Sequence, residues 1–197
     1  MNHARRWKPF WRWEAFLFAM VLVLAMAASF VVRVDWPVVG AVLGIVLLVA
    51  AVTLAALLVV PILLVKGRDS ENTRKTLEGV ELVEPTAENV RTLRVVESER
   101  RQSSIEAARA KSREPFRAVL TPDASRWLGR QLRVAVDLLG DDGSIYRAGF
   151  VPPEVDAELD ARLRPYTRSK RAVVVPAAVI GSARPFRVEF RLGDLAD

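Results

Sequence analysis

The chain falls into a part without hydrophobic period and a part that has one. From Ala15 to Val32 and again from Val38 to Val65 no charged residue occurs, and only Ser29 and Thr53 are polar. At ~1.5 Å per residue these runs predict helices of roughly 27 and 42 Å, long enough for a hydrocarbon core of about 30 Å. The expected elements are a basic aromatic tail (1–13) and two transmembrane helices within 14–65, at about 14–34 and 38–65, with Pro61 positioned to kink the second. A cleaved signal peptide competes for the first run, because Ala25-Met26-Ala27 fits a small-residue cleavage pattern behind a basic segment. Apolar sequence continues through Ser29 to Val32, which favours a span.

Charge and aromatic placement orient the pair. Arg5, Arg6, Lys8 and Arg12 precede the first run, and Lys66, Arg68, Arg74 and Lys75 follow the second. Trp7, Trp11, Trp13 and Trp36 stand at the ends, where aromatic belts form. The expectation is a multi-pass protein of a bacterial-type inner membrane, with the lipid bilayer as partner, both termini cytoplasmic and a tight outer turn at Asp35-Trp36-Pro37. Gly40 and Gly44 form a GxxxG, the small-residue spacing by which apolar helices approach closely. It serves either packing within the hairpin or a homo-oligomer or membrane-protein contact.

Residues 66–115 change character, with charges of both signs and scattered apolar positions, and are expected as a partly helical juxtamembrane linker. Ser103-Ser104-Ile105-Glu106 has the form of a capping box and predicts a helix ending before Pro115. From Phe116 the period becomes two. Leu132, Val134, Val136 and Leu138 alternate with polar or small residues, and so do Phe186, Val188, Phe190 and Leu192. Gly140-Asp141-Asp142-Gly143 is turn chemistry joining the first of these strands to Ile145–Val151 as a hairpin. A further strand covers Arg171 to Ile180, in which Pro176 requires an edge or bulge.

Pro152-Pro153 starts a helix whose Val155, Leu159 and Leu163 form an apolar stripe. Its acidic first turns and basic last turn match the helix dipole, and Pro165 is expected to stop it. The fold class expected is a membrane α-helical hairpin plus an α+β soluble domain (116–197), the latter a small β-barrel or half-barrel with one packed helix.

Composition narrows the chemistry. Cysteine is absent and the single histidine is His3, so thiolate sites and Ser-His-Asp or HExxH constellations cannot form in residues 116–197. Net charge is +6, but from Lys66 onward 24 basic and 21 acidic residues nearly balance. Asp141 and Asp142 pair inside an ordinary turn, without a partner base. No enzyme, cofactor or metal is expected.

The stretch "LRVAVDLLGDDGSIYRAGFVPPEVDAELDARL", followed by "RAVVVPAAVIG" and "FRVEFRL", resembles the second half of a HIRAN domain. Gly149-Phe150-Val151 stands at the family's Gly-aromatic-Leu strand end, and Glu154 to Leu163 at its acidic helix. The resemblance implies an OB-like barrel and, from some helicase-like members, contact with the 3′ end of single-stranded DNA. The family's Asn-Pro-x-Asp-x-Asn-Ala stretch is replaced here by "TPDASRWLGRQ", which retains only Asp123.

Phe150 is then the candidate aromatic contact, against a plain core role on a strand face shared with Tyr146 and Ala148. Arg168, Lys170 and Arg171, with Arg147 on the neighbouring strand, are the candidate phosphate-contacting cluster. A solvated loop, or attraction to anionic headgroups, would carry the same residues. The function expected is a membrane-anchored adaptor contacting single-stranded nucleic acid or a protein partner. The alternative is a structural subunit assembled through the hairpin.

Overall fold

The computed structural model describes residues 6–8, 13–33, 39–64, 77, 79–125, 129 and 131–195. His3, Trp11, Trp36, the Asp35-Trp36-Pro37 turn and the basic residues Lys66, Arg68, Arg74 and Lys75 lie outside them. The chain divides into two compact units, one holding the two N-terminal helices and the other a sheet with its packed helices.

In the first unit, α1 (Glu14–Arg33) and α2 (Val39–Leu64) pack against each other. Their apolar residues leave Phe18, Met26 and Phe30 of α1, and Ile45, Val49 and Val52 of α2, exposed. Among the described residues no helix is long and apolar enough to cross a membrane. This corrects the expected membrane hairpin, and with it the transmembrane assignment and the multi-pass inner-membrane location. Gly40 and Gly44 both lie in α2, and a Cβ built at Gly44 meets nothing within 4 Å, so no close backbone approach is made there.

The second unit is an eight-stranded sheet in the order β1-β5-β4-β7-β8-β3, with β6 also on β5 and β2 also on β7. Its strands are β1 (Arg6–Trp7), β2 (Glu81–Val83), β3 (Arg91–Arg94), β4 (Phe116–Ala124), β5 (Gln131–Leu139), β6 (Ile145–Phe150), β7 (Arg171–Ile180) and β8 (Arg187–Leu192). All pairs are antiparallel except β2 with β7. The sheet curls into a half-barrel, and among the described residues its two edges meet at the bridge from Val96 to Phe150. The even positions of β5 and β8 point inward as the period of two requires. Val134, Val136, Leu138, Phe186, Val188 and Phe190 share one core.

Two helices complete that core. In α4 (Pro153–Arg168) Leu159, Leu163 and Tyr166 are buried. The helix runs through Pro165 rather than stopping there, because so near the C-terminus the missing N–H removes only one bond while Ser169 N still reaches the Pro165 carbonyl at 3.2 Å. In α3 (Gln102–Lys111) Ile105 and Ala108 are fully buried, a burial of about 1.5–3 kcal/mol for the isoleucine alone. The segment read as a linker thus holds β2, β3 and α3. Its capping box is not formed: Arg101 is the N-cap, without a side-chain bond, and Ser103 and Glu106 both receive Arg184 instead. Gln102 binds both the N–H and the carbonyl of Phe186, fixing α3 to β8.

Pro176 sits in β7 opposite Arg117 of β4. On its other edge β7 pairs β2 over 171–173 and β8 over 177–180, so the proline falls in the gap and no donor is lost from that ladder.

Candidate functional site

The residues singled out by sequence separate into two places. Phe150 ends β6 just before α4, whereas Arg168 ends α4 and Lys170 and Arg171 follow it. The intervening helix rises about 22 Å at ~1.5 Å per residue, so one ligand residue cannot touch both.

Phe150 is 1% exposed. A bulge decides its direction: Val136 pairs with Gly149 and Asp137 with Arg147, leaving Ala148 over. Ala148 therefore enters the inner core while Phe150 turns to the opposite face, beside Ala124, Ala135 and Val96. Phe150 and Ala148 do not share a face as simple alternation implies. The Phe150 ring lies between two guanidinium groups, Arg133 at 4.9 Å and Arg147 at 5.6 Å. Arg147 is ion-paired to Asp137, whose other oxygen accepts the Thr121 hydroxyl at 2.8 Å, and Arg133 pairs with Glu97 at 2.6 Å. All of these groups are buried or nearly so, which makes the cluster a structural lock beneath the surface.

The basic turn is open. Arg168 and Lys170 are exposed, and Lys170 holds φ 57. Arg171 stacks over Tyr166 at 4.9 Å and donates to Ser169 Oγ at 3.1 Å.

Three aspartates, Asp156, Asp160 and Asp142, are engaged in architecture. Asp156 accepts the Val134 N–H at 2.6 Å, and Asp160 accepts from Arg164 at 2.8 Å and from the Asp123 N–H at 3.4 Å. These bonds tie α4 to β4 and β5. Asp142 accepts from Ser144 and pairs with Lys111 at 3.0 Å. The Ser144 hydroxyl and N–H, with the Lys111 ammonium, hold the Asp142 carboxyl well below its ordinary range, and the same contact raises Lys111. Among the described residues no group of three or more His, Cys, Asp or Glu could hold a metal ion.

A different surface has the attributes of a binding site. The outward positions of β8 are Arg187, Glu189 and Arg191, those of β3 are Thr92 and Arg94, and those of β7 are Pro176, Ala178 and Ile180. The register places Arg187 beside Ile180, Glu189 beside Ala178 and Arg94, and Arg191 beside Thr92, while Arg117 of β4 stands beside Pro176. Four exposed arginines thus surround a small apolar patch. An open groove of about 660 Å³ adjoins it, lined by Thr92, Pro115, Phe116, Pro176, Ala178 and, of the four arginines, Arg191. Glu99 approaches Arg94 only to 3.8 Å, a weak contact between exposed side chains.

A smaller pocket of about 160 Å³ lies between α4 and β3, over Leu93, Val155 and Leu159. Its rim is closed on itself by Arg162–Glu158 at 3.3 Å and Asn89–Asp194 at 2.7 Å.

The alternation of Arg187 and Arg191 with β8's core residues is visible in sequence. Their convergence with Arg94 and Arg117 required the order β4-β7-β8-β3, which joins strands far apart in the chain. No family model, curated protein or solved structure matches the chain.

Proposed function

We propose that the chain is a binding module of adaptor type and not an enzyme, and that it engages an anionic partner through the outer face of β3, β8, β7 and β4. The observation that carries this reading is the set of exposed arginines, Arg94, Arg117, Arg187 and Arg191, on one outer sheet face, with Arg191 lining an open groove. Guanidinium groups in a fixed array recognise carboxylate or phosphate by paired hydrogen bonds. The engaged carboxylates support the non-catalytic part of the reading, since Asp142, Asp156 and Asp160 are already committed to backbone or side-chain partners.

The HIRAN-like resemblance would make the anion single-stranded nucleic acid. Phe150 is not the aromatic for that role in this structure, because a ring 1% exposed offers no stacking surface. A nucleic-acid reading therefore rests on phosphate contacts alone.

The test is fluorescence anisotropy of the full 197-residue chain with labelled polyglutamate and with labelled oligothymidylate, titrated across salt. Binding of an anionic polymer that weakens with salt, and is lost in the Arg187→Glu, Arg191→Glu double variant, is expected. For the oligonucleotide the salt slope should fall by about 0.7 per arginine removed. No binding of either polymer at low salt, by a chain with unchanged circular dichroism, would sink the reading.

A further inference from the structure

We infer that the occupant of this face is an extended acidic segment of a partner protein, lying along β8 with an apolar side chain over Ala178 and a carboxylate on each of Arg187 and Arg191. The inference rests on the binding reading above and names the partner's chemistry.

The patch between the arginines is apolar and open. Pro176, Ala178 and Ile180 are exposed on β7, Ile180 at 44%. Phe116 and Phe190 also border the groove, but they are buried in the fold at 5% and 0% exposure. The groove thus presents an aliphatic floor and no open ring, which suits an aliphatic side chain and gives a nucleobase nothing to stack on.

The charges are mixed in a way that suits a polypeptide. Glu189 stands between Arg187 and Arg191 on the same strand face, across from Arg94, and Glu114 borders the groove. A phosphodiester chain carries a charge at every residue and would set phosphates against both glutamates. A polypeptide can place carboxylates only where the arginines are.

Spacing then sets a pattern. Arg187 and Arg191 are four residues apart on one strand face, roughly 13 Å at ~3.3 Å per residue. An extended peptide rises by the same amount, and alternate side chains share its face. Acidic residues at positions one and five therefore reach the two arginines. The side chain at position three sits at the level of Glu189 and its cross-strand neighbour Ala178.

The experiment uses the full chain and fluorescein-labelled peptides. The first carries Glu-Ser-Leu-Ser-Glu, the second replaces its leucine by serine, and the third moves the glutamates inward as Ser-Glu-Leu-Glu-Ser; oligothymidylate is run alongside. The first peptide should bind, the second about tenfold more weakly for want of the buried leucine, and the third more weakly than the first. Ala178→Glu, an exposed position, should abolish binding of the first peptide with thermal unfolding unchanged. Equal binding of the first two peptides, or arginine-dependent binding of oligothymidylate without the first peptide, would overturn the polypeptide partner and leave the anion-binding face standing. Failure of every anionic probe would overturn both. Concentration-dependent self-association abolished by Ala178→Glu, without peptide binding, would make a second copy the occupant instead.

Discussion

Val96 and Phe150 exchange both backbone hydrogen bonds, Val96 N to Phe150 O at 2.9 Å and Phe150 N to Val96 O at 3.0 Å. This pair joins the edge that continues from β3 to the edge that ends β6, and among the described residues it is the isolated backbone bridge across the seam of the half-barrel. The neighbouring Val95 N donates to Val188 O at 2.8 Å, which ties the same segment to β8.

Gly149 permits that approach. It holds φ 154, and a Cβ there would stand 2.3 Å from the Val96 carbonyl oxygen and 2.6 Å from a Val95 methyl. Gly149→Ala should lower stability by on the order of 3 kcal/mol, combining backbone strain with displacement of the bridge. Chemical denaturation checks the magnitude, and amide exchange at Val96 and Phe150 checks the cause. An unchanged midpoint would show that the seam does not depend on this glycine.

Phe150→Ala should cost about 3–5 kcal/mol of stability, since the ring is 1% exposed and fills space between Arg133 and Arg147. Binding of anionic probes should persist wherever the variant is folded. A variant of normal stability with lost oligonucleotide binding would restore the stacking role.

The buried pair of Asp137 and Arg147 predicts non-additive losses. Asp137→Asn removes the carboxylate charge that the buried Arg147 guanidinium faces, and Arg147→Met removes the cation from a carboxylate that also accepts the Thr121 hydroxyl. Each should destabilise by about 3–5 kcal/mol. The double variant should cost clearly less than the sum, and a double-mutant cycle by urea unfolding reads the coupling. Additive losses would mean that the two charges do not act as a pair.

Asp142 predicts a pH effect of known sign. Its folded pKa is depressed below the ordinary 3.8, first by the Ser144 hydroxyl, then by the Ser144 N–H and Lys111. The contact therefore contributes stability above the unfolded pKa near 3.8 and loses it as pH falls through the folded value. Lys111, raised above 10.5, contributes below that pH and loses its contribution as pH rises through its folded value. Carboxyl NMR titration should show Ser144→Ala relieving the Asp142 depression more than Lys111→Met does. The reverse order would make the ion pair the main cause.

Local pattern alone determined much of this protein. β7 spans Arg171–Ile180 as its apolar run predicts, β5 and β6 form the hairpin around Gly140–Gly143, and Leu159 and Leu163 face the core from α4. Each follows from period, turn chemistry or a dipole-matched helix, which act over a few residues. The alternation that turns Arg187, Glu189 and Arg191 of β8 away from the core was legible for the same reason.

Tertiary structure decided the rest. Ile105 and Ala108, in a segment too charged to read as core, are buried because α3 completes a core that the strands alone leave open. Residues Arg6–Trp7, in the tail, pair with Gln131 and Leu132 of β5, a contact over a sequence distance no window spans. A one-residue bulge sent Phe150 to the face opposite Ala148, since an extra residue inverts strand alternation and leaves no mark in composition. The arginines converge for the same kind of reason: Arg94, Arg117, Arg187 and Arg191 become neighbours only when β4, β7, β8 and β3 lie side by side, and strand order is set by the packing of the whole core rather than by any stretch within it.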